Sequence, residues 1–163
     1  MTGPARPAVL FVCLGNICRS PLAEAAFRRA AQQAALDVLV DSAGTGDWHV
    51  GKPPDLRAQA TARAHGIEIG QYRARQIKPE DFARFSHILA LDRQNLADIR
   101  LIAPQRVKSE IALLLDMVAG REGQSVADPY FGDEAGFVET WADVTAAAAA
   151  LVERFRSAIS GQD

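Results

Sequence analysis

The segment VLFVCLGNICRSP, residues 9–21, restricts this chain more than any other stretch of its 163 residues. Residues 9–12 form a continuous apolar run rich in β-branched side chains, the composition of a parallel strand buried on both faces. The run passes directly into Cys13, with Gly15, Asn16, Cys18 and Arg19 close behind. Pro21 suits the first turn of a helix, and Leu22, Ala25, Ala26, Arg29 and Ala30 follow at helical spacing. A buried strand turning sharply into a helix is the opening unit of an α/β fold.

The rest of the chain continues that alternation. Residues 38–40 read as a second strand, closed by a turn over Asp41, Ser42, Ala43 and Gly44. A Gly/Pro-rich loop carrying Trp48 follows, then a helix over residues 55–65 stopped by Gly66. A short helix opens near Lys78, residues 87–91 form another buried strand, and residues 93–102 return as helix. Residues 103–124 are the least legible, with 111–115 as a candidate last strand. Phe137, Trp141, Val144, Ala148, Leu151, Phe155 and Ile159 mark one face of a long C-terminal helix. The pattern predicts a doubly wound parallel sheet of about four strands flanked by helices. Residues 1–7 read as a flexible lead-in and residues 8–160 as a single domain. In such sheets ligands bind beyond the carboxyl ends of the strands, where the opening turn lies.

That turn gathers backbone N–H groups into one concavity, with the positive end of the helix dipole behind them. Gly15 lets the chain curl closely, and Asn16 is the non-glycine residue best suited to a left-handed conformation. The Arg19 guanidinium adds a planar fork that matches two phosphate oxygens. The turn is therefore a candidate oxyanion cradle with Cys13 at its base. Its field would stabilise a thiolate, and a thiolate below a bound phosphoryl group is placed for in-line attack. The spacing Cys-x5-Arg alone is common; a buried cysteine with a surface arginine is the alternative.

Composition removes several rivals. A formal net charge of -2 supplies no electrostatic case for nucleic acid or an anionic membrane. Two neighbouring cysteines cannot staple a fold of this size, and three scattered histidines suggest no zinc site. Residues 8–14 lack a signal-cleavage pattern, and no stretch approaches the roughly 18 apolar residues of a membrane span. The expectation is a soluble cytoplasmic protein, monomeric or weakly dimeric, without metal or cofactor.

The run CLGNICRSP resembles the active-site loop of the low-molecular-weight protein tyrosine phosphatases. Further landmarks of that family follow in order: Asp41-Ser42-Ala43-Gly44-Thr45, Trp48, His65-Gly66-Ile67, Ala74-Arg75-Gln76-Ile77 and Asp128-Pro129-Tyr130. The resemblance implies a flavodoxin-like fold of the phosphotyrosine phosphatase I type, no cofactor, and phosphotyrosine-containing proteins or peptides as partners, with inorganic phosphate released. It implies that Cys13 forms a phosphocysteine, that Arg19 clamps the phosphoryl oxygens, and that Asp128 acts as general acid and then base. Leu14, Gly15, Asn16, Ile17, Cys18 and Ser20 would form the phosphate-binding loop, with Ser20 hydrogen-bonded to the Cys13 sulfur. Asn16 would be held by Ser42 and His65. Trp48, Tyr130 and Phe131 would wall the substrate cleft, their alternative being places in the core. His49 and His87 read as structural.

Three rival functions are separable on residues. Thioredoxin-coupled arsenate reductases need a further cysteine well downstream, and none follows Cys18. Protein arginine phosphatases carry a threonine where Ile17 stands, and the bulkier Ile17 should favour a flat phenolic ring. A non-catalytic phosphate-binding module would normally lose Cys13, Arg19 or Asp128. Cys18 adds a redox expectation: oxidised Cys13 could condense with it to a disulfide.

Overall fold

Val9, Leu10, Phe11 and Val12 are almost wholly excluded from solvent, and they form the centre of β1, Ala8–Cys13. The structure is a computed structural model that describes residues 6–160. Along it run α1 (Arg19–Gln33), β2 (Leu39–Gly44), α2 (Leu56–Ala64), α3 (Asp81–Arg84), β3 (His87–Ala90), α4 (Arg93–Ile102), β4 (Glu110–Leu113) and α5 (Glu134–Ser160). The strands form one parallel sheet in the order β2-β1-β3-β4.

Successive residues of β1 face opposite sides of that sheet, and the core divides accordingly. Val9, Phe11 and Cys13 pack with Leu22, Phe27, Leu151 and Phe155 of α1 and α5. Ala8, Leu10 and Val12 pack with Phe82, Phe85 and Ile99 on the other side. Phe27 meets Phe11 and Phe155 edge-on, with ring centroids 5.8 and 6.1 Å apart. Helices therefore cover both faces, as a parallel sheet requires. Chain order reverses between β1 and β3, and the crevice at that reversal opens at the end of β1, beside the Cys13 turn.

Several expectations change. The segment from Asp41 to Gly44 is strand, since each residue pairs with β1 in register; the adjacent polar residues Asp41 and Ser42 imitate a turn in the sequence. The last strand is Glu110–Leu113, and Leu114–Met117 tightens into a 3-10 turn. Of the expected lead-in, residues 1–5 lie outside the described residues. Arg6 pairs with Asp37 at 3.0 Å, and the Pro7 carbonyl accepts from Leu39, so both are tied to the start of β2. By length and composition α5 could cross a membrane, but Phe137, Val144, Leu151 and Phe155 bury its apolar face in the core. Ile159, expected on that face, is 41% exposed.

Candidate active site

Cys13 is the last residue of β1, and α1 begins at Arg19, so the intervening turn must reverse within five residues. Asn16 makes this possible by adopting φ 58°, the left-handed region its short amide tolerates. Gly44, at the end of β2, lets the turn lie close: a Cβ there would stand 2.7 Å from the Leu14 carbonyl oxygen. Beyond β2 the Thr45 and Gly46 amides still donate to the Cys13 and Leu14 carbonyls. The end of β2 thus holds the Cys13 and Leu14 carbonyls of the cradle through backbone bonds.

Beneath it runs an ordered chain of side-chain hydrogen bonds. Ser42 Oγ donates to Glu24 Oε1 at 2.7 Å. With its hydrogen so used, Ser42 accepts from Asn16 Nδ2 at 3.0 Å. The same amide donates to Ser20 Oγ at 2.8 Å, leaving the Ser20 hydrogen for Cys13 Sγ, 3.0 Å away. Asn16 Oδ1 accepts from the Arg75 N–H at 3.0 Å, and Arg75 itself grips the buried Asp81 with both terminal nitrogens. Burial pushes the Glu24 carboxyl above its ordinary pKa, an effect the Ser42 bond partly offsets. His65 stands apart from this network, correcting the sequence expectation. Its ring stacks on Trp141 at 4.8 Å and is exposed, and Glu24 supplies the support assigned to it.

Arg19 is 3% exposed yet borders the cleft. Its Nη1 donates to Asp92 Oδ2 at 2.8 Å and to the Val126 carbonyl at 2.9 Å. Its Nη2 lies 3.5 Å from Asp128 Oδ2. Asp92 caps α4 with its other oxygen, accepting from the Asn95 N–H at 2.7 Å, so one carboxylate fixes both a helix start and a guanidinium. The Val126 N–H donates to the Leu91 carbonyl just beyond β3, which brings Asp128 over the cradle. No side chain caps the start of α1, and its first turn carries no acid, so its free N–H donors suit an anion. Burial pushes the Cys18 thiol well above its usual range, with the charges of Asp55, Cys13 and Asp128 acting in the same direction. Cys18 is therefore held as a neutral thiol.

Cys13, Leu14, Gly15, Ile17, Cys18, Arg19, Trp48, Asp128, Tyr130 and Phe131 line a single cleft of about 230 Å³. Asn16, Ser20 and Ser42 lie buried below it. The three aromatic residues belong to the mouth and not to the core: Trp48 is 67%, Tyr130 37% and Phe131 93% exposed. His49, a structural residue by its sequence context, also lines the cleft, its ring against Gly15 and 6.5 Å from Tyr130. Asp92, Glu24 and the Val126 carbonyl were missed as well. Asp92 alone had a local signal, an acid ending a buried strand at a helix start. The others act through tertiary proximity.

Comparison with known proteins adds an independent line. Residues 8–160 match the family model described as low molecular weight phosphotyrosine protein phosphatase. A protein of that name from Schizosaccharomyces pombe is 42% identical over 132 residues, covering 79% of this chain and 84% of the relative. The crystal structure of YfkJ from Bacillus subtilis superposes with a TM-score of 0.87 at 37% identity, covering 94% of this chain and 97% of its own. A Drosophila arginine phosphatase superposes with a TM-score of 0.86 at 32% identity, covering 91% of this chain and 97% of its own.

Proposed function

The chain belongs to the low molecular weight phosphotyrosine protein phosphatase family, and from that premise we propose that it hydrolyses phosphotyrosine in proteins and peptides through a phosphocysteine intermediate. The observation that carries this reading is the convergence of Cys13, Arg19 and Asp128 on one cleft. Arg19 and the first-turn N–H groups of α1 hold the phosphoryl oxygens and neutralise charge on the transferring group. The Cys13 sulfur attacks phosphorus in line, while Asp128 gives a proton to the departing phenolate. Water then displaces the sulfur, Asp128 accepts its proton, and inorganic phosphate leaves. The Ser20 hydroxyl, 3.0 Å from Cys13 Sγ, stabilises the departing sulfur in this second step. Trp48, Tyr130 and Phe131 flank the substrate ring, and Ser42 keeps Asn16 in its left-handed conformation. No step assigns a role to His65.

A phosphoarginine substrate is the second reading, favoured by the similarity to a Drosophila arginine phosphatase. Ile17 weighs against it, because its branched side chain narrows the cleft where a bulkier, charged phosphoguanidinium must enter. Matched peptides carrying phosphotyrosine or phosphoarginine, assayed with chelator present, separate the two. Wild type should cleave the first far faster, and Ile17→Thr should shift the ratio toward the second. Faster phosphoarginine cleavage by wild type would reverse the assignment, and activity that survives Cys13→Ser would refute the mechanism.

The free thiols Cys13 and Cys18 suit a reducing, cytoplasmic compartment. Both are buried at the same turn, which supports condensation of oxidised Cys13 with Cys18. Mass spectrometry after mild peroxide tests this: a Cys13 sulfonic acid beside a free Cys18 would contradict it.

A further inference from the structure

The loop that carries Asp128 is gripped by a side chain from a distant element. Arg57, in the first turn of α2, donates through Nη2 to the Tyr130 carbonyl at 2.9 Å and through Nη1 to the Gly132 carbonyl at 3.2 Å. Its guanidinium lies 5.7 Å from the Tyr130 ring centroid and 4.8 Å from that of the buried Phe137. The same guanidinium is itself fixed. Nε donates to Asp55 Oδ1 and Nη2 to Asp55 Oδ2, both at 3.0 Å, a bidentate fork on the residue that caps α2. The Asp55 N–H in turn donates to the Ile17 carbonyl of the cradle at 2.8 Å. A continuous path therefore runs from Ile17 through Asp55 and Arg57 to Tyr130, and the Tyr130 N–H donates to Asp128 Oδ1 at 3.1 Å.

We infer that Arg57 is a positioning residue that sets the Asp128 carboxyl over the phosphate cradle. The inference rests on Asp128 being the general acid. Its physical basis is geometric: a proton donor must lie within hydrogen-bond reach of the leaving oxygen, and an exposed loop without an anchor samples many positions. Arg57 binds two carbonyls of that loop while Asp55 ties the same guanidinium to the cradle floor. Arg19 and the Val126–Leu91 bond hold the N-terminal side of the loop, and Arg57 holds the side beyond Asp128. A lysine, with a single point charge, cannot hold Asp55 and both carbonyls in this fork geometry.

The test reads leaving-group dependence. A poor leaving group such as phenolate needs the acid, whereas 2,4-dinitrophenolate departs without it. Purified wild type, Arg57→Ala, Asp55→Asn, Asp128→Asn and the Arg57→Ala/Asp128→Asn double variant are assayed for kcat/KM on phenyl phosphate and on 2,4-dinitrophenyl phosphate. Arg57→Ala should lose about tenfold or more on phenyl phosphate, a share of the acid's own contribution, and far less on the dinitrophenyl ester. Asp55→Asn keeps a capping side chain but weakens the fork, so it should show the same pattern more mildly. The double variant should be no worse than Asp128→Asn, because both substitutions remove one function. Equal losses by Arg57→Ala on both esters, no loss on either, or multiplying effects in the double variant would overturn the inference. If Arg57→Ala does not fold, Asp55→Asn decides by the same criterion. If Asp128→Asn itself shows no leaving-group dependence, the reading of Asp128 fails first, and the two failures are thereby distinguished.

Discussion

The cradle and the acid loop face each other across one cleft but are built on opposite terms. In the cradle Cys13, Asn16 and Arg19 are each 3% exposed, Ser20 is fully buried, and each of the four has a hydrogen-bonded side chain. Across the cleft the Asp128 side chain is 41% exposed and Phe131 is 93% exposed. A buried polar network is stiff because breaking any member strands another away from water. An exposed loop held by a few contacts to Arg19 and Arg57 is adjustable. The pairing suits the phosphoryl transfer proposed above, in which the cradle fixes the phosphorus while Asp128 serves both steps and lets product leave.

Substitutions on the two sides should therefore fail differently. Asp128→Asn should lower kcat/KM for phenyl phosphate by roughly 100- to 1,000-fold with little change in melting temperature. A matching loss of stability would show that the acid loop is structural after all. Asn16→Ala forces alanine into a left-handed conformation and leaves Ser20, Ser42 and the Arg75 amide without their common partner. It should destabilise the fold by about 3 kcal/mol in denaturant titration. A cost below about 1 kcal/mol would mean the cradle relaxes freely, as one lost hydrogen bond could explain. Phe131→Ala, on the exposed side, should change stability by less than about 0.5 kcal/mol while raising KM for aryl phosphates.

The smallest effect concerns Glu24. An acid whose pKa is higher in the folded than the unfolded state binds more protons when native, so stability falls as pH rises through that interval and levels off above it. Burial raises the Glu24 carboxyl from its ordinary 4.5. The stability of Glu24→Gln relative to wild type should therefore grow as pH rises above about 4.5, and then become flat. A difference independent of pH would mean that the Ser42 and Arg28 contacts fully offset burial.

The same contrast governs how much could be read from sequence. The cradle was legible because its causes are local: an apolar strand, Gly15 and Asn16 to turn, Pro21 to start a helix. Four parallel strands between helix layers followed from the alternation. The end of β2 was misread because Asp41 and Ser42 are polar for tertiary reasons, one serving Arg75 and the other Asn16 and Glu24. Residues 103–124 resisted reading because β4 lies at the sheet edge and is only partly buried, which weakens its periodicity. The supports of the site were hidden for a different reason. Asp92 meets Arg19 across 73 positions and Arg57 meets Tyr130 across the same number, and no periodicity records such partners. His65 shows the converse, a residue at the right place in sequence whose ring turns to Trp141 instead.

The central claim is that the Cys13 sulfur carries the phosphoryl group during turnover. Asp128→Asn, slowed in hydrolysis, should be mixed with p-nitrophenyl phosphate, acid-quenched within the first turnover, digested and read by mass spectrometry. One phosphoryl group is expected on the peptide containing Cys13, localised to that residue, with a matching burst of p-nitrophenol. Release of p-nitrophenol with no adduct, or with the group on another side chain, would contradict it.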